Sequence, residues 1–214
     1  MWACGRKAPS RFVFQWHQHP LEVSFLCLMI NDVLISDILF SNTLPAFVLR
    51  TLMNTNTANK VYSVGMYCTE TLKEKLSTIS RTADKGKQAL VALRNGVKED
   101  PCTFLLEMNF KVGAEKMANA IAESVSPRYD GPASDVEDLK RLIQKGVSIK
   151  GAVKKGDQIQ FDCSEEGLGV TVCGKDQGNV ASGGLASAFC DVYLDDKSVS
   201  PTLADSCLAE CCSL

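Results

Sequence analysis

The residues of this chain best equipped for chemistry are its ten cysteines and two histidines. The cysteines stand at Cys4, Cys27, Cys68, Cys102, Cys163, Cys173, Cys190, Cys207, Cys211 and Cys212, and none forms a Cys-x-x-Cys pair. Zinc sites legible in a sequence place thiolates or imidazoles at close, repeated spacing. No such repeat is present, so the spacing predicts no metal site. His17 and His19 lie near the start of the chain and read as an incidental pair. Cys102, Cys163, Cys173 and Cys190 sit inside apolar segments, where a free cysteine behaves as a small hydrophobe. With no clear secretory signal, they read as reduced thiols of an intracellular protein. Nucleophilic catalysis has no visible machinery: there is no Gly-x-Ser-x-Gly elbow and no histidine placed to serve a serine or cysteine. Ser182-Gly183-Gly184 reads as a loop before a helix rather than a phosphate cradle. No cofactor is expected.

The 214 residues are enough for one domain, or one domain with an extension. A hydrophobic content of 45% supplies a core of ordinary size. The net charge of −2, without a basic block, argues against nucleic-acid binding. Residues 1–20 carry Arg6, Lys7 and Arg11 and no acidic residue before Glu22, a faint transit-peptide pattern. Plastid and cytoplasm both remain open. Residues 21–53 are strongly apolar, but Asn31, Asp32 and Asp37 interrupt the run, so no stable membrane span is expected. Cys211-Cys212-Ser213-Leu214 fits the prenylation pattern with poor interior positions. Residues 1–45 therefore read as an extension, and 46–210 as the folded domain.

Periodicity supplies the elements of that domain. Lys60–Cys68 alternates like a strand. Leu72, Leu76 and Ile79 recur at helical spacing, a second helix covers Asp84–Arg94, and Asn95-Gly96 predicts a turn. Cys102–Val112 reads as a strand, and Ala114–Ser124 as a helix closed by Pro127. Arg128 could cap that helix or touch a ligand. Ser134-x-x-Glu137 has the form of a capping box opening the next helix. Strands follow at Gln158–Cys163 and Leu168–Cys173, with a hairpin turn at Gly174–Gly178. Leu185, Ala188, Phe189, Val192 and Tyr193 make an apolar helical stripe. Pro201 suits the first turn of a last helix. The order predicts an α+β fold, an antiparallel sheet with helices layered on one face.

Three segments together resemble the chalcone isomerase family: VYSVGMYC at Val61–Cys68, GLGVTVCGK at Gly167–Lys175 and LASAFCDVYLDDKSVSP at Leu185–Pro201. The resemblance implies an open-faced β-sandwich whose cleft lies between sheet and helices. The family has an isomerase branch, which closes a chalcone into a flavanone, and a branch that holds a fatty acid.

The residues separate the branches. Arg50 and Tyr62 stand at the spacing where the isomerases resemble one another in an arginine and a threonine, and arginine with tyrosine looks like the lipid-binding branch. A guanidinium can grip a carboxylate through two parallel charge-assisted hydrogen bonds. The isomerases' Tyr-x-x-Lys-x-x-x-Asn aligns here with Lys116, Asn119 and Glu123, and a later threonine aligns with Val192 beside Tyr193. With that polar set replaced, the resemblance implies a monomeric protein binding a fatty acid or similar apolar carboxylate, with Arg50, Tyr62 and Tyr193 as ligand-binding residues. The alternative is an intramolecular lyase of the isomerase type in which Arg50 orients the phenolate.

Overall fold

A computed structural model describes residues 46–49, 61–79 and 86–211, all within one unit, Leu39–Leu214. Arg50, the histidine pair, the apolar run before Ala46 and the last three residues lie outside the described residues.

Six strands form one antiparallel sheet in the order β1-β2-β3-β6-β7-β8. They are β1 (Ala46–Leu49), β2 (Tyr62–Thr69), β3 (Cys102–Met108), β6 (Gln158–Ser164), β7 (Gly167–Val172) and β8 (Lys175–Val180). A separate two-stranded ribbon pairs β4 (Val112–Gly113) with β5 (Ala152–Val153). Because a strand turns successive side chains to opposite faces, the register lays the core down as three transverse rows. Val64, Leu106, Ile159 and Val172 form one, Met66, Phe104, Phe161 and Val170 the next, and Cys68, Cys102, Cys163 and Leu168 the third. All twelve are buried. The opposite face alternates to Ser63, Thr103, Glu107, Gln160, Asp162 and Thr171, a polar surface on which Thr103 donates to Asp162 at 2.6 Å. The described helices therefore layer on one face, as the sequence predicts.

The helices are α1 (Glu70–Ser77), α2 (Gly86–Glu99), α3 (Ala114–Val125), α4 (Ala133–Ser148), α5 (Gly183–Leu194) and α6 (Pro201–Cys211). Ser182 caps α5 by accepting from the Leu185 amide. The predicted one-sided stripe of α5 is in fact an almost fully buried helix, Leu185–Leu194 except Ser187. It lies on β6 and β7 and is flanked by α2, α3 and α6, and a helix enclosed in this way has little use for a polar face.

Four boundaries differ from the sequence reading. Asn95-Gly96 is not a turn, because α2 runs on to Glu99. Gly96 serves packing instead: a Cβ there would meet Leu72 Cδ1 at 2.2 Å. The Cys102–Val112 strand ends at Met108, where Asn109 donates its amide to Val61 O and its side chain to Ser63 Oγ; the chain then leaves the sheet for the β4–β5 ribbon. The capping box at Ser134 does not form, since α4 starts at Ala133, with Pro132 rather than Ser134 at the N-cap position. The β7–β8 turn is only Cys173-Gly174. Both have positive φ, +50 and +73, the two-residue turn whose twist matches the flanking strands.

Candidate functional site

Two of the three residues predicted to hold a ligand meet in the structure. Tyr62 opens β2 on the helix-covered face, Tyr193 lies near the end of α5, and their hydroxyl oxygens stand 3.5 Å apart. Tyr193 is fully buried, and Tyr62 is half-buried. Around them is an aromatic wall. Tyr193 stacks on Phe104 at 5.1 Å, and Phe189 contacts Phe104, Phe161 and Tyr193 at 5.7, 4.4 and 5.6 Å. Burial pushes both phenols above their ordinary range: for Tyr62 it outweighs the opposing hydrogen bond with Tyr193, and for Tyr193 it is reinforced by the neighbouring phenol. Both hydroxyls thus stay protonated at neutral pH, so an acceptor placed at this pair would meet donors and no competing negative charge.

Lys116, Asn119 and Glu123, aligned with the isomerase polar set, share one face of α3. With Glu115 and Ala120 they line a depression of about 430 Å³. Asn119 Oδ1 is buried there and has no hydrogen-bond partner among the described residues. Val192, at the threonine position, is core.

Sequence reasoning missed the polar network flanking α5. Asp191, only 9% exposed, accepts from Arg94 Nε at 2.6 Å and from Lys98 Nζ at 3.1 Å, both on α2. Burial pushes its carboxyl up, but the two cations outweigh burial and hold it below the ordinary value of 3.8. A carboxyl depressed by folding adds stability that is present above its unfolded pKa and is lost as pH falls through the folded one. Urea melts should therefore show a wild-type loss of stability as pH drops below about 4, and Asp191→Asn should reduce it. An identical acid profile in the two proteins would remove Asp191 from the account.

The structure also gathers three thiols that sequence spacing keeps apart. Cys102 and Cys163 face each other across β3 and β6, and Cys190 comes down from α5. Their sulfurs lie within 4.8 Å of one another, with Cys102 and Cys190 3.7 Å apart. Each is at most 4% exposed. The one sequence signal was that all three occur in apolar segments.

An antiparallel sheet with the described helices layered on one face, and with protonated phenols set against an aromatic wall, defines a sheet-and-helix α+β sandwich. A family model described as chalcone isomerase-like matches residues 50–209. The chain belongs to the chalcone isomerase-like family. Among solved structures it is similar to a fatty-acid binding protein of Arabidopsis thaliana, at 17% identity and a TM-score of 0.56, over 78% of this chain and 85% of that one. No curated protein matches it. Among the described residues no helix is long and apolar enough to cross a membrane.

Proposed function

We propose that this protein is a binding module for a fatty acid or similar apolar carboxylate, held between the sheet and its helices. The observation that carries the reading is the Tyr62–Tyr193 hydroxyl pair, two protonated donors set into an otherwise apolar aromatic wall. Arg50 supplies the positive charge, and the phenols add hydrogen bonds to the same headgroup. The hydrocarbon lies against apolar side chains, the usual lining of a small-molecule pocket. The fatty-acid binding activity named for the Arabidopsis protein supports the same class of ligand. The replaced polar set on α3 and the core valine at Val192 weigh against chalcone cyclisation. The protein acts as a monomer in this reading, and plastid and cytoplasm are both compatible with it.

The test is a lipid inventory of the purified chain, followed by titration with a fluorescent fatty acid. Arg50→Ala should weaken binding at least about tenfold, the loss of one charge-assisted contact. Tyr62→Phe should weaken it less. Unchanged affinity in Arg50→Ala would remove that residue from the site. A chalcone mixed with excess protein should close at its spontaneous rate, and acceleration would replace the carrier reading with the isomerase one.

A further inference from the structure

The third core row, Cys68, Cys102 and Cys163, places thiols side by side on three adjacent strands, and α5 lowers Cys190 onto it. A core needs no such convergence, since any small apolar side chain would fill the same space. Two thiolates held about 2.3 Å from one zinc ion at the tetrahedral angle stand about 3.8 Å apart; Cys102 and Cys190 are separated by 3.7 Å. We propose that Cys102, Cys163 and Cys190 form a buried three-sulfur site for a thiophilic divalent cation, Zn²⁺ above all. Soft sulfur donors with no carboxylate among them select such an ion over Mg²⁺ or Ca²⁺.

Charge favours the divalent ion over a monovalent one such as Cu⁺. Three thiolates around Zn²⁺ leave one negative charge in the core. The Arg94–Asp191–Lys98 group beside Cys190 carries one net positive charge, and the two cancel. With Cu⁺ a second negative charge would be left buried, which is costly. As three S–Zn bonds form, three thiol protons leave to solvent. The sulfurs are closed off from bulk water, so the ion enters as the chain folds and carries one water in with it as the fourth ligand of the tetrahedron.

The full chain should be unfolded under reducing conditions, freed of metal by a chelator and refolded with Co²⁺. Expected is a sulfur-to-cobalt charge-transfer absorption that saturates at one equivalent and is displaced by Zn²⁺. Changes outside the ligand set already cost about 10- to 100-fold in metal affinity, so Cys102→Ala and Cys190→Ala should each cost at least about 100-fold. The double variant Cys211→Ser/Cys212→Ser should keep the full signal. Should the alanine variants fail to fold, X-ray absorption of the zinc-loaded wild type decides, with sulfur neighbours near 2.3 Å expected. Three results would overturn the site: no charge-transfer band at one equivalent, a nitrogen and oxygen shell around zinc, or loss of the band in Cys211→Ser/Cys212→Ser.

Discussion

Phe189→Ala should cost about 3–5 kcal/mol of folding stability, the usual range for removing a fully buried aromatic ring. Phe189 is 0% exposed and is the ring through which α5 keys into the sheet, touching Phe104, Phe161 and Tyr193. Those partners come from β3, β6 and the same helix, so the cavity would open between layers rather than within one. The rings around it are held by the row register and could relax only by shifting a strand or the helix. For a domain of this size the loss corresponds to about 10 °C in Tm. Phe189→Leu keeps most of the volume and should recover more than half. Denaturant melts of the three proteins measure this directly. A loss below about 1 kcal/mol for the alanine variant would mean that the layers close over the gap and that Phe189 is not the key.

Arg128→Ala is expected to cost about 2–4 kcal/mol, slightly below the range for breaking a wholly buried pair. Its guanidinium donates through Nε to Asp195 Oδ2 at 2.8 Å and through Nη2 to Asp195 Oδ1 at 3.0 Å. It also reaches Ser124 O at 2.7 Å and Lys197 O at 2.9 Å. The side chains of Arg128 and Asp195 are only 13% and 15% exposed. One planar fork thus caps the end of α3 and ties it to the segment after α5. Alanine would leave two carbonyls without that donor and Asp195 with the Lys197 amide alone from this set. Lysine keeps the charge but not the fork, so Arg128→Lys should recover less than half of the loss. Full stability in Arg128→Lys would show that charge alone suffices. Of the two roles the sequence left open for Arg128, the helix cap is the one observed.

The fold was legible because its signals were local and repeated. Cys102, Phe104 and Leu106 alternate with half-buried neighbours, and Leu139 and Ile143 recur at helical spacing. The failures were equally physical. Gly96 looked like a turn because a glycine that yields space to a neighbouring leucine is indistinguishable, in sequence, from one that bends the chain. Gly174–Gly178 looked like a single turn because the β8 residues Lys175 and Asp176 are exposed and polar. Tyr62 and Tyr193 could be nominated from resemblance, but their meeting depends on how α5 crosses the sheet. The three thiols were beyond any spacing rule, for they come from three distant segments: strand register brings Cys102 to Cys163, and the packing of α5 on the sheet adds Cys190. The Arg94–Asp191–Lys98 group is of the same kind, a contact between α2 and α5 that no local pattern records.

The strand order carries a consequence for how the chain reaches its native state. The β6–β7–β8 meander closes through short turns and can form from nearby residues. Its junction with β3 cannot, because β4, α3, α4 and β5 all intervene between the two paired strands. Closing that loop costs entropy before any pairing returns it, and such non-local closures govern folding speed. The pairs that close there include Cys102 opposite Cys163 and Phe104 opposite Phe161. The late step in assembly is therefore the one that joins the two halves of the aromatic wall and brings the two strand thiols together.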